Sequence, residues 1–309
     1  MKPQFMKLVQ ICGHELAIST KHVLDFIEHG DMTEQQFSES LQAKRVPRVE
    51  GHIAIIPVFG VVSQYGGWFS QSMERLKNSV SRCCENPDIG GIILNFDSPG
   101  GTAFGTFETA DAIREASQSK PIIGLANSLS ASASYAMQAA CPVTAVTPGG
   151  EVGSIGVYRL HVDYTKALEK SGIGLDILRA GKHKIEANPF EPMTEEIRAR
   201  ELAGVEETYR VFLESVAKHK GMTSTQVRDT FGEGLVYKSG KAKALGLVDH
   251  VLTLDQVIDK MTKKARKGSK ASSEELTAWL NETDSGTDSG NLAIELELQQ
   301  QELELQGII

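Results

Sequence analysis

Apolar residues in this chain come mainly as short unbroken runs. His52 to Val62, Gly91 to Phe96 and Pro121 to Ala126 are rich in Ile, Val and Leu. Such runs suit strands buried on both faces of a parallel sheet. Val143 to Val146 adds a fourth. Between them the spacing turns helical. Ser70 to Cys84 carries Met73, Leu76 and Val80 on one face, Gly100 to Ala116 opens as a glycine turn and continues as helix, and Ser132 to Ala140 reads as a helix of small residues. A long amphipathic helix follows from Glu195 to Lys220, then a short one from Ser239 to Ala244 between two glycine-led strands. Strands alternating with helices predict an α/β fold with parallel pairing.

The same pattern divides the chain. Residues 1–50 are polar and weakly helical, with His22 to Ile27 as a short amphipathic stretch, and read as an N-terminal arm that packs on the main domain or on a neighbour. Residues 51–255 carry the strand–helix alternation. Residues 256–309 read as a basic linker and an acidic, flexible C-terminal tail. The tail explains the net charge of −8. Nine of the 40 acidic residues lie beyond Lys270 with no Lys or Arg among them, leaving 32 basic and 31 acidic before it. A neutral body offers no overall attraction to nucleic acid. Only 6 % of residues are aromatic, too few for a base-stacking surface.

No run reaches the roughly 18 apolar residues of a membrane helix, so a cytoplasmic protein without a membrane anchor is expected. The four cysteines, Cys12, Cys83, Cys84 and Cys141, fit no zinc spacing and read as free thiols in a reducing compartment. The eight histidines form neither metal spacing nor a triad signature. No phosphate loop or dinucleotide fingerprint is present, so no cofactor or metal is expected.

Four small-residue motifs carry candidate chemistry. Ser132 opens the small-residue helix, where free N–H groups favour an oxyanion. Ala133 is one candidate donor. Serine clusters are common helix caps, so this motif alone decides nothing. Ser98-Pro99-Gly100-Gly101 follows a buried strand, where a glycine turn lets backbone approach a ligand. Gly100 is the second candidate oxyanion donor, unless this is a plain strand-to-helix turn. Lys184 lies 52 positions after Ser132. A neutral lysine activates a serine, but losing its proton near pH 7 requires a dry site. An isolated basic pair such as Lys182 and Lys184 is otherwise a surface loop. Ser154, in Gly153-Ser154-Ile155-Gly156, could orient the lysine or merely turn the chain.

Taken in order, these motifs resemble the S49 peptidases, the signal peptide peptidase A group, and within it the head-maturation proteases of lambda-type tailed phages. The resemblance runs from about Gly51 to Val251. It implies a ClpP/crotonase-like spiral of ββα units. It implies Ser132 as nucleophile, Lys184 as general base, Ser154 as the serine orienting the lysine, and Gly100 and Ala133 at the oxyanion hole. It further implies a serine endopeptidase acting on scaffold, portal or its own tail during capsid assembly, in the host cytoplasm or prohead. Family members assemble into rings or smaller oligomers in which neighbours complete the site, so a homo-oligomer is expected. The family's usual Ser-Gly-Gly-Tyr is here Ser132-Ala133-Ser134-Tyr135, which makes Ser134 a rival nucleophile. Other readings are a non-catalytic scaffold-binding capsid component, a cellular S49 peptidase and a crotonase-type acyl-CoA enzyme.

Overall fold

The computed structural model describes residues 15–18, 46–67 and 70–266. The predicted helix at His22 to Ile27 and the acidic tail lie outside them.

The large sheet is built from β2 (Arg48–Glu50), β3 (Ile53–Phe59), β6 (Gly91–Ser98), β8 (Ile122–Ala131), β10 (Glu151–Gly153) and β12 (Val236–Lys238), hydrogen-bonded in that order. A side branch pairs β9 (Val143–Val146) with β8 and with β13 (His250–Val251). The central pairs β3–β6 and β6–β8 are parallel, as the continuous apolar runs predict. Ile92, Ile93, Leu94 and Phe96 are all fully buried because the sheet is covered on both faces.

One face is covered by α1 (Met73–Glu85), α2 (Thr106–Ala116), α3 (Ala133–Ala139) and α5 (Glu195–Lys220). It takes Ala54, Ile56 and Val58 from β3. Ile53 and Ile55, with the opposite parity, face α8 (Leu254–Arg266). Alternate strand residues point to opposite faces, so each helix layer receives its own set.

A second, smaller sheet stands at the rim. Its order is β11 (Tyr158–Arg159), β1 (Glu15–Ile18), β7 (Gly100–Thr102), β4 (Val61–Ser63) and β5 (Ser70–Ser72). Twice a strand of the large sheet is followed by short rim strands and then a helix: β3, then β4 and β5, before α1, and β6, then β7, before α2. This is the spiral of ββα units of the ClpP/crotonase-like fold. The remaining short helices are α4 (Thr165–Lys170), α6 (Ser224–Phe231) and α7 (Ser239–Ala244).

One sequence expectation changes. The expected boundary at residue 255 falls inside packed structure. Residues 256–266 continue α8, and Val257 and Met261 are buried against the second face of the sheet. Before residue 51 the described residues form two strands that pair with the body. Arg48–Glu50 pairs antiparallel with β3, and Glu15–Ile18 lies between β7 and β11.

Candidate active site

The carboxyl ends of three neighbouring strands bring the predicted motifs together. Ser98 on β6 is the register partner of Ser130 on β8, and Ala131 on β8 is the partner of Gly153 on β10. The chain therefore leaves the sheet side by side at Gly100, Ser132 and Ser154. Open α/β sheets bind ligands at such ends.

Ser132 is the single residue between β8 and α3, with φ 57° and ψ −122°. A positive φ on a non-glycine residue costs about 1–3 kcal/mol and persists only where its surroundings enforce it. Here its N–H donates to the Gly153 carbonyl at 2.7 Å, and its carbonyl accepts from Ala136 N–H at 3.0 Å. Behind it α3 is pinned by two buried side chains. Tyr135 donates its hydroxyl to the Leu247 carbonyl at 2.9 Å. Gln138 Nε2 donates to the carbonyls of Ala145 at 2.8 Å and Gly124 at 3.2 Å. The Ser132 hydroxyl itself makes a long contact, 3.5 Å, to the Gly156 carbonyl. Ser134 is different. It is fully buried, and its hydroxyl is 3.1 Å from that of Ser130, so it belongs to the packing of β8 against α3.

Both loop glycines are required by the backbone. Gly100 has φ 100°, a region that side chains strain. A Cβ on Gly101 would lie 1.7 Å from the Val62 carbonyl oxygen. Ser98 holds the loop by donating to the Gly60 carbonyl at 2.7 Å, and Gly100 N–H donates to the Ser98 hydroxyl at 3.2 Å. Ala133 stands at the first helical position, where an N–H has no acceptor within its own helix. Ser154 also has φ 57°, and its N–H donates to the Leu235 carbonyl at 2.6 Å.

Lys184 stands apart. It is exposed, and among the described residues no hydrogen bond or ion pair joins it to Ser132 or Ser154. The dry surroundings that a lysine base needs are therefore not supplied by the described part of one chain. The segment around it is nevertheless well tied. Asn188 Nδ2 donates to the Ile185 carbonyl at 2.9 Å and to Glu191 Oε2 at 2.8 Å, and Asn188 Oδ1 accepts from Phe190 N–H at 2.9 Å. Glu186 meets His183 Nδ1 at 2.9 Å and Arg200 Nη2 at 3.0 Å. The His183 hydrogen bond, helped by the Arg200 charge, holds the Glu186 carboxyl below its ordinary range. Ile185 and Ala187 take positive φ, 65° and 55°.

Along the chain on either side of Lys184, Ile173, Leu175, Leu178 (90 % exposed), Ile185 and Phe190 are exposed, as is Leu202 on α5. A cleft of about 580 Å³ runs beside this segment, between Val157–Val162 and the start of α5.

Two other groups are set aside by position. Lys220 is largely shielded from solvent, and desolvation lowers its pKa. It donates to Thr144 Oγ1 at 3.1 Å and lies 3.9 Å from Asp249 Oδ1, beside Cys141 beyond the far end of α3. That end lies roughly 10 Å along the helix from Ser132. Burial pushes the Cys141 thiol up to about 12, so it stays protonated and inert. Among the described residues no His, Cys, Asp or Glu cluster could hold a metal, and no helix is long and apolar enough to cross a membrane.

Comparison with known proteins follows this geometry. Residues 114–267 match the family model described as peptidase family S49. The head-tail preconnector protein GP5 of Enterobacteria phage P21 is 31 % identical over 234 residues, covering 74 % of this chain and 46 % of the phage protein. Capsid assembly protease C of Escherichia phage lambda is 30 % identical over 223 residues, covering 69 % and 49 %. The chain thus spans about half the length of these two relatives.

Proposed function

Residues 114–267 belong to peptidase family S49, and on that premise we propose that the chain is a serine endopeptidase in which Ser132 attacks and Lys184 is the base. The observation that carries this reading is the strained backbone of Ser132 at the carboxyl ends of three strands, with Gly100 and Ala133 on either side.

In this mechanism Ser132 Oγ adds to a peptide carbonyl as its proton passes to the Lys184 amine. The N–H groups of Gly100 and Ala133 receive the oxyanion. Gly100 N–H now faces the Ser98 hydroxyl, and a substrate oxygen would compete for it. The protonated lysine returns its proton to the leaving amine. The same amine, neutral again, draws a proton from water for deacylation. Ser154 orients the amine.

The lysine reaches its serine across a subunit boundary. Lys184 is exposed, and so are the apolar Ile185 beside it and Phe190 six positions on, residue types that association would cover. A neighbouring copy that covers this segment also excludes water from the amine, which a neutral base requires. The chain therefore works as a homo-oligomer.

The substrates are capsid-assembly proteins: scaffold, portal or the chain's own tail, cut in the host cytoplasm or prohead. The printed names of the two phage relatives support this setting. The test is co-expression with a candidate scaffold protein, followed by intact mass measurement. The wild-type chain shortens the scaffold and Ser132→Ala leaves it whole. Equal cleavage by both overturns the assignment.

A further inference from the structure

β8 does not run evenly past its neighbours. It pairs with β6 residue for residue from Ile122 to Ala126, where Phe96 is opposite Ala126. The next pair is Ser98 with Ser130. Between those pairs β6 uses one residue, Asp97, and β8 uses three, Asn127, Ser128 and Leu129. On its other side β8 pairs with β9 up to Ala126 and with β10 from Leu129 onward. Asn127 and Ser128 thus form a joint where the strand changes partners, and Ser128 lies four residues before Ser132. Bulges bend a strand and re-aim the side chains beyond them.

The joint is held from two sides. From one, Thr147 N–H donates to the Ala126 carbonyl at 2.9 Å and Thr147 Oγ1 to the Asn127 carbonyl at 3.1 Å. The turn after Thr147 presses close, since a Cβ on Gly150 would lie 3.2 Å from the Ser128 carbonyl oxygen. From the other side comes β6: Ser128 Oγ donates to Asp97 Oδ1 at 2.5 Å. Asp97 is itself fixed by its backbone, its carbonyl accepting from Gly60 N–H at 2.9 Å. The next residue, Ser98, is the one that holds Gly100. Asp97 therefore stands between the root of the glycine loop and the joint that leads to the nucleophile. A hydrogen bond to a carboxylate is roughly twice as strong as a neutral one. Ser128 is exposed, so water can replace this bond with little loss of stability. Water cannot replace the fixed spacing it gives the two strands.

We infer that Asp97 is a positioning residue: through Ser128 it sets where Ser132 stands relative to Gly100. The inference rests on the peptidase reading above. Attack needs the serine oxygen about 3–3.5 Å from the carbonyl carbon and aligned with it, while the loop N–H holds the carbonyl oxygen. Ser132 stands at the end of β8, and Gly100 follows β6. A misplacement of about 1 Å between such groups can cost roughly 100-fold in rate. The Asp97–Ser128 bond ties the two strands just before they deliver these groups. Asp97 and Ser128 act on the substrate through Ser132, so loss of their bond is felt in the transition state and lowers kcat rather than raising KM.

The experiment measures cleavage of fluorescein-labelled casein by the full chain and its variants. Rates are expressed per Ser132 titrated with a fluorophosphonate, so misfolded copies do not count. Asp97→Ala and Ser128→Ala should each lower kcat about tenfold, with KM unchanged within about twofold. The double variant should be no slower than either single one, since both remove the same bond. Asp97→Asn keeps an accepting oxygen in place and should recover most of the loss. Ser128→Ala changes an exposed position and reads the same bond should Asp97→Ala fail to fold. A wild-type kcat in Ser128→Ala overturns the inference and leaves the peptidase reading standing. So does a double variant slowed by the product of the two single effects, an Asp97→Asn as slow as Asp97→Ala, or a loss that appears only in KM. A wild type that neither takes up the probe nor cuts casein overturns the peptidase reading and this inference with it.

Discussion

If Lys184 serves the serine of a neighbouring copy, two dead variants should rescue one another. Ser132→Ala keeps the lysine and loses the nucleophile. Lys184→Ala keeps the nucleophile and loses the base. Each alone should fall by roughly 10⁴- to 10⁶-fold, the range seen when a catalytic group of a concerted set is removed. The geometry sets the size of the rescue. Ser132 is buried at the strand ends, and Lys184 is exposed on a separate lobe. In an equimolar assembly half of the copies bring an intact serine, and half of their neighbours bring an intact lysine. Random mixing therefore restores about one quarter of the sites. Co-expression lets copies mix during assembly, and a fluorogenic peptide assay reads the rate per total protomer. About a quarter of the wild-type rate is expected, far above either parent. Mixed assemblies no more active than the parents, in a sample shown by native mass spectrometry to contain both, would refute the shared site.

Three further outcomes follow from single features. Met261 is 2 % exposed against the second face of the sheet, so Met261→Ala should lower unfolding stability by about 2–5 kcal/mol in urea titration. A loss under about 0.5 kcal/mol would return residues 256–266 to the status of a linker. Gly101→Ala places a Cβ 1.7 Å from the Val62 carbonyl oxygen, with no flexible side chain to yield. Peptide cleavage should collapse and stability fall by about 3 kcal/mol or more, against a near-normal variant if the loop is loosely held. Burial, with Arg114 nearby, pushes the His219 imidazole down to about 4, outweighing half-exposed Asp111 3.1 Å away. The unfolded chain then binds the extra proton between pH 6.5 and 4, so stability is full above pH 6.5 and falls as pH drops through that window. His219→Gln should flatten this slope in urea titrations at several pH values, and an unchanged slope would contradict it.

The sheet was legible because burial on both faces writes a continuous apolar run, and β3, β6, β8 and β9 each overlap such a run. The helix from Glu195 to Lys220 begins and ends where its pattern does, between the Thr194 cap and Gly221. The rim sheet was less visible. β4, β5 and β7 are three residues each, too short for any period, and β7 is two glycines and a threonine. Residues 256–266 were read as a linker because four Lys and Arg residues within α8 masked Val257 and Met261, four apart and both buried. Ser132, Gly100, Ala133 and Ser154 were nameable from motif order, and strand register brings their backbones together. The exposure of Lys184 was open in the sequence as the surface-loop reading of an isolated basic pair, but a sequence does not say which surfaces a second copy covers. Glu15-Leu16-Ala17-Ile18 carried no signal, since its partners lie more than 80 residues away.

The most direct measurement is peptide mapping of the assembled protein after reaction with a fluorophosphonate probe. A single adduct on Ser132, lost in Ser132→Ala and strongly slowed in Lys184→Ala, is the predicted result. An adduct on Ser134, or full labelling of Ser132 without Lys184, would contradict the account.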